Sequence, residues 1–434
     1  MALTGRPDGE PQMCPVPLAS CADGALAALA CLAPARAFEG LRGSQLLGER
    51  AAIAGYSRRG SVSPGGSCRL LPSAEGWIAL NLVRPEDWAL IPAWLEMPGD
   101  ITWTPNPAAN WSIVQRAVQD KPAQELVERG CLMGLAVAFQ SGSIPPCGGE
   151  LGWGVFRKIP LPLPPPAEPA PDSIRGGGGK SPLDGSPVVV DLSSLWAGPL
   201  CSHLLQMLGA QVIKVESVQR PDGARRGPAA FFDLLNAGKL SVALDPGTKQ
   251  GRDQLHALLR KADIVIEASR PRALRQLGID ADTMVLENPG LTWISITGYG
   301  RSEPQENWVA YGDDAGVAAG LSQLLFDASD QPLICGDAIA DPLTGLHAAL
   351  AAWAGFQRGG GGLISLPLRE VVAHCIAFDL PATAGAMRDR CEDWTKLALD
   401  QGGAQLPIAR TAAGAARPLG ADTATVLGDW GIAA

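Results

Sequence analysis

The chain is poor in the residues that build metal centres. It has only four histidines, and none of its ten cysteines belongs to a Cys-x-x-Cys pair, which speaks against a structural zinc site. Cys14, Cys21, Cys31, Cys68, Cys131, Cys147, Cys201, Cys335, Cys375 and Cys391 are scattered instead, as expected of small buried hydrophobes in a reducing cytoplasm. Only three tyrosines occur, so a tyrosine in a loop carries weight. Basic residues are outnumbered, 35 Lys and Arg against 44 Asp and Glu, giving a net charge of -9 and a pI near 5.1. That balance excludes a general nucleic-acid or anionic-membrane binder and leaves room for a local basic groove. No apolar run approaches the roughly 20 residues that span a bilayer, and Ala25 to Leu32 lacks the cationic flank of a signal peptide.

What is present is enough apolar sequence for more than one core: 46% of 434 residues are hydrophobic. Residues 158–187 join a proline-rich half to a glycine-rich half and are expected to act as a linker. Beyond it, short β-branched runs alternate with helical segments. "SPVVVDL", "QVIKVES", "LSVALD", "DIVIEA" and "LTWISITGYG" predict strands, while "GPLCSHLLQMLGA" and "GRDQLHALLRKA" predict helices. The expected fold class is therefore α/β, a Rossmann-like doubly wound parallel sheet whose ligand site lies beyond the carboxyl ends of the strands. The first loop, "SSLWAGP", is not Gly-x-Gly-x-x-Gly, so a nicotinamide or flavin cofactor has no support.

Before the linker, "EGWIALNL" predicts a strand and "RPEDWALIPAWLE" an amphipathic helix. Two further helices and a strand end at "GLAVAF", which makes a smaller α/β domain. The first fifty residues repeat a later part of the chain. Sliding by 321 positions matches thirteen residues between positions 11 and 52, among them Cys14 with Cys335, Gly24 with Gly345 and Glu49 with Glu370. The copy carries Ser20 where the later segment has Asp341. The expected domains are thus 1–52, a partial repeat; 53–157, the small domain; 158–187, the linker; and 188–434, the large domain.

Asp341 stands before Pro342 at the head of an Ala/Leu-rich run. Asp followed by Pro suits a helix N-cap, so capping and chemistry compete for this carboxyl. The ordered blocks "VVVDLSSLWAGPLCSHLLQMLGAQVIKVES", "FFDLLNAGKLSVALD", "ADIVIEASRPRALRQLGID", "NPGLTWISITGYG" and "IADPLTGLHAALAA" resemble the family III CoA-transferases, a group that includes the α-methylacyl-CoA racemases. "PLGADTATVLGDWGI" is similar to the family's closing strap. The resemblance implies an acyl-CoA:carboxylate CoA-transferase whose nucleophile is Asp341, four residues before Gly345; Asp337 has the wrong spacing. Attack on an acyl-CoA thioester would give an acyl-aspartyl anhydride and then an aspartyl-CoA thioester.

The resemblance further implies Tyr311 in "AYGDDAGVAAG" as an active-site residue, at a position that is histidine in racemases. It implies coenzyme A contacts from Leu195, Trp196 and Ala197, from Asn236 and Lys239, and from Ala268, Ser269, Arg270 and Arg272. No tightly bound cofactor and no metal are expected; coenzyme A and acyl-CoA are substrates, with a carboxylic acid as acceptor. A homodimer is implied as well. Because the small-domain-like segment comes first, the order suggests a permuted or fused module. The alternatives are a decayed acyl-CoA-binding homologue and an acyl-CoA racemase or isomerase.

Overall fold

The computed structural model describes residues 2–33, 36–97, 103–104, 106–140 and 186–433. The linker, apart from its last two residues, lies outside the described residues, as do Cys147 and the glycines at 176–179. No helix among the described residues is long and apolar enough to cross a membrane.

Six strands form a parallel sheet: β4 (Val188–Asp191), β5 (Gln211–Ser217), β6 (Leu240–Leu244), β7 (Ile264–Glu267), β8 (Thr292–Thr297) and β9 (Gly362–Pro367), in the order β6-β5-β4-β7-β8-β9. Counted from β4 this is 3-2-1-4-5-6, the doubly wound order, with its topological switch between β4 and β7. The strands are apolar on both faces because both are covered. Val189, Ile264, Ile266, Ile294 and Ile296 enter one core, whereas Val188, Val190, Ile213, Val265 and Trp293 enter the other. Each such side chain taken fully from water contributes about 1.5–3 kcal/mol.

The edge of β6 is covered by the C-terminal strap. Ser241 N and Ala243 N donate to Asp422 Oδ2 at 2.8 Å and Thr423 Oγ1 at 3.0 Å, while Val426 and Leu427 of the helix Thr423–Asp429 and Trp430 just after it join the second core. An otherwise open sheet edge is thereby closed.

The smaller unit has an antiparallel sheet of β1 (Cys68–Ser73), β2 (Gly76–Asn81) and β3 (Ala136–Gln140). Strand β1 is absent from the sequence-based expectation; the turn at Ala74 and Glu75 pairs it with β2 as a hairpin. Alternation along the strands decides its packing. Leu71, Ile78, Leu80 and Val137 face the helices Pro85–Leu95, Pro107–Val118 and Ala123–Met133. Leu70, Ala79 and Ala138 face Val317 and Ile334 of the large unit.

The first fifty residues share the core of the large sheet. Leu18, Ala22, Ala25, Leu26 and Leu29, one face of the helix Leu18–Cys31, pack in the same cluster as Leu343 and Leu346 of the helix Ala340–Gln357. Trp353 Nε1 and Gln357 Nε2 of that later helix donate to Leu32 O at 3.0 and 2.9 Å. The two segments matched by the 321-residue offset therefore lie against each other.

Candidate active site

The site begins at the turn Gly336 to Ile339. Ala338 holds a left-handed φ of 44°, a strained conformation for a residue with a Cβ. Its amide donates to Asp313 Oδ1 at 2.7 Å, and its carbonyl accepts from Asp341 N at 2.9 Å. The helix Ala340–Gln357 is launched from this turn. Asp341 is its second residue, not its cap: Ile339 occupies the capping position and no side chain caps the helix. The capping expectation fails because the turn closes helical hydrogen bonding before the chain reaches Asp341.

The Asp341 carboxyl is half-buried, with Oδ2 over Gly312. A Cβ on Gly312 would stand 2.3 Å from that oxygen, so only glycine fits there. Gly345 does a similar service one turn later: a Cβ would come within 2.7 Å of Ala197 O, where the helix Ala197–Met207 crosses. This close approach sets the backbone of Ala197 beside the carboxyl. Burial pushes Asp341 up to about 6; Arg50 and the backbone of Gly312 and Ala197 hold it down, and Asp337 raises it.

Asp337 and Asp313 lie near this carboxyl, and Asp314 stands next to Asp313. Asp337 is fully buried and takes both Nε and Nη2 of Arg50, at 2.9 and 2.6 Å. Burial pushes Asp313 up to about 7, with Asp337 adding to the rise. Burial also pushes Asp314 up to about 8, although it accepts from Asn81 Nδ2 at 2.7 Å and from Tyr311 N at 3.0 Å. Among the described residues no cation forms an ion pair with Asp341, since Arg50 is spent on Asp337. Tyr311 precedes the helix Gly312–Ala318 and is half-buried; burial pushes its phenol up to about 12, against the opposing charge of Arg84.

The remaining expected residues divide into two groups. Ala268 and Arg270 are exposed and Ser269 half-exposed just past β7, and Arg272 is exposed two residues on, at the rim of the switch-point crevice. Neither Arg270 nor Arg272 has an ion-pair partner among the described residues, so both are open to an anionic ligand. Leu195, with φ 69°, also borders the crevice, its amide donating to Asp222 Oδ1 at 3.0 Å.

Lys239 and Asn236 turn inward, away from the phosphate contact expected of them. Lys239 Nζ donates to Ser202 Oγ at 2.7 Å, Pro199 O and Asn236 Oδ1 at 3.0 Å, and pairs with Asp191 at 3.3 Å. A buried ammonium with all three protons engaged has nothing left for a phosphate. Trp196 is buried too, edge-on to Phe231 with Arg50 5.4 Å from its ring centroid, so its faces are occupied rather than free to stack on a nucleotide. Ala197 is likewise buried and offers backbone only.

Arg50, Asn81, Asp313 and Gly312 were not identified from sequence. The adjacent aspartates of "YGDDAG" were a usable signal. Nothing local to "GERAAIAG" marks Arg50, which arrives from 287 residues away.

The sequence model of CoA-transferase family III matches residues 183–395. The chain is 31% identical over 215 residues to a succinate–glutarate CoA-transferase of Agrobacterium fabrum, covering 46% of this chain and 54% of that one. It is 29% identical to a formyl-CoA:oxalate CoA-transferase of Escherichia coli over 45% of this chain and 49% of the other. A solved structure of a CAIB/BAIF family protein from Brucella suis is 31% identical, with a TM-score of 0.40, over 46% of this chain and 56% of that chain. The chain spans about half the length of the curated relatives it matches.

Proposed function

The chain belongs to CoA-transferase family III through residues 183–395, and from that premise we propose that it moves coenzyme A from an acyl-CoA thioester to a carboxylic acid, with Asp341 as nucleophile. The observation that carries the proposal is the state of Asp341: half-buried, without an ion pair among the described residues, and lying against backbone at a helix head. A carboxyl titrating near 6 is mostly ionised at neutral pH yet poorly solvated, which favours attack on a carbonyl.

In the first step a carboxylate oxygen of Asp341 bonds to the thioester carbonyl carbon. The C–S bond breaks and the coenzyme A thiolate leaves, giving a mixed anhydride. The thiolate then attacks the aspartyl carbonyl, releasing the donor acid and leaving an aspartyl thioester. The acceptor carboxylate attacks that thioester, and the freed thiolate takes the new acyl group, which regenerates Asp341. Every step displaces one leaving group, so no oxidant or external base is needed.

The residues fit these steps in kind. The first turn of the helix and the backbone of Gly312 and Ala197 favour developing negative charge. Tyr311, with its phenol held protonated, is a hydrogen-bond donor at the same site. Arg270 and Arg272 would take the phosphates of coenzyme A, and Ala268, Ser269 and Leu195 would border its nucleotide. A second copy of the chain as partner, giving a homodimer, and the division 1–52, 53–157, 158–187 and 188–434 as a permuted or fused arrangement are part of this reading.

The test is trapping. Wild-type protein incubated with an acyl-CoA and then hydroxylamine should be converted to an Asp341 hydroxamate, detected as a mass change on the peptide carrying Asp341. Asp341→Ala should show no such adduct and lose at least about 10³-fold in exchange between acyl-CoA and labelled carboxylate. An adduct on another residue, or equal exchange by both proteins, would sink the assignment.

A further inference from the structure

We propose that Arg50, contributed by the N-terminal segment outside the family-matched residues, is a positioning residue for Asp341: it anchors the turn that launches the Asp341 helix and is the cation set among its carboxyls. The role assigned to Arg50 rests on Asp341 being the nucleophile.

The geometry is specific. Arg50 lies in the short helix Glu49–Ala54, whose own placement is fixed next door, where buried Glu49 accepts Arg410 Nε and Nη2 at 2.7 and 2.8 Å. Its guanidinium makes a two-pronged bond to Asp337, the second residue of the Gly336 to Ile339 turn. A planar fork on a carboxylate fixes orientation as well as distance. Four residues on stands Asp341. The same guanidinium lies over the ring of Trp196, the residue before Ala197, so one side chain meets a side chain from each of the two segments that flank the carboxyl.

Charge supports the geometry. Asp341 is faced by Asp337 on its own turn, by Asp313 on the helix Gly312–Ala318, by Tyr311 just before that helix, and by Arg50; Asp314 stands beside Asp313 and Tyr311, Arg84 and Asp87 behind Tyr311, and Cys68 behind Asp313 and Asp314. Arg50 opposes the rise of both Asp341 and Asp313. Arg50 lies outside the family-matched residues 183–395, whereas Asp337, Asp313 and Asp341 lie within them.

The test reads Asp341 directly and does not need turnover. Wild type, Arg50→Gln, Arg50→Lys and Asp337→Asn are labelled with a water-soluble carbodiimide and an amine from pH 5 to 9. Labelling of the Asp341 peptide is normalised to exposed Asp389. Carbodiimide takes the protonated acid, so the wild-type midpoint should fall near 6. Arg50→Gln should move it up by about 1 pH unit, and Arg50→Lys should return most of that shift. Asp337→Asn removes a like charge and frees Arg50, so it should move the midpoint down. This opposite shift keeps the proposal testable if Arg50→Gln fails to fold. Coincident midpoints in the folded variants would overturn the role of Arg50. Shifted midpoints with no acyl-CoA exchange in wild type would instead overturn the transferase reading and leave the positioning intact. Where exchange occurs, the acid limb of kcat/KM should move with the labelling midpoint.

Discussion

Two buried charge clusters lie on either side of the helix Ala197–Met207, and they are balanced differently. Beside the carboxyl end of β4, Lys214 of β5 pairs with Asp222 at 2.9 Å, and Lys239, just before β6, pairs with Asp191 at 3.3 Å. Burial by itself would raise Asp191, but Lys239 and Lys214 with two serine hydroxyls pull it below its ordinary value. At the head of the Asp341 helix, Asp313, Asp337 and Asp341 face Arg50 with Asp314 next to Asp313, and burial leaves Asp313, Asp314 and Asp341 raised. The first cluster is settled charge that holds loops in place. The second is a surplus of carboxyl that stability alone does not ask for, and such surplus marks working groups.

The largest effect that would break this contrast comes from unbalancing the settled cluster. Lys239→Met leaves Asp191 buried without its partner and should cost about 3–5 kcal/mol, seen as a lowered urea midpoint, with coenzyme A affinity per folded molecule unchanged. A loss of affinity at normal stability would instead restore the phosphate role expected from sequence.

A smaller effect comes from the surplus side through pH. Asp314 keeps a proton in the folded state up to about 8 that the unfolded chain releases near 4. Its contribution to stability is therefore full below the unfolded value and is lost as pH rises through about 8, by up to about 1.4 kcal/mol per pH unit. Asp191 works the other way, its contribution being present above the unfolded value and lost on acidification. Urea unfolding from pH 5 to 8 should show the decline in wild type, and Asp314→Asn should flatten it. An unchanged slope in Asp314→Asn would place the titrating group elsewhere.

The smallest effect belongs to the open rim. Arg270→Ala and Arg272→Ala should each weaken coenzyme A binding by about 3- to 10-fold at low salt, less at high salt, without moving the melting temperature. Equal binding in both variants would take the nucleotide away from the β7 loop.

Much of this was legible beforehand because parallel strands buried on both faces advertise themselves as short apolar runs; "QVIKVES" and β5 coincide, and "DIVIEA" differs from β7 by one residue at each end. Asp341 is a candidate through its spacing to Gly345. The physical reason for that glycine is the crossing of the Ala197 backbone. Strand β1 was missed because "CRLLPS" carries a proline and little alternation, and it is held by its hairpin partner. The inward turn of Lys239 was not legible, because a lysine in a loop beside a strand looks solvated until the Asp191 carboxylate is seen beside it.

By itself the sequence determined the sheet, the order of its blocks and the identity of the nucleophile candidate, since each rests on neighbours within a few residues. Only the tertiary structure decided which charges meet. Arg50 and Asp337 are 287 positions apart, Asn81 and Asp314 are 233 apart, and no local pattern records either pair. Charge pairing inside a protein is set by which surfaces pack together and exclude water, and that is a property of the assembled core rather than of any segment of the chain.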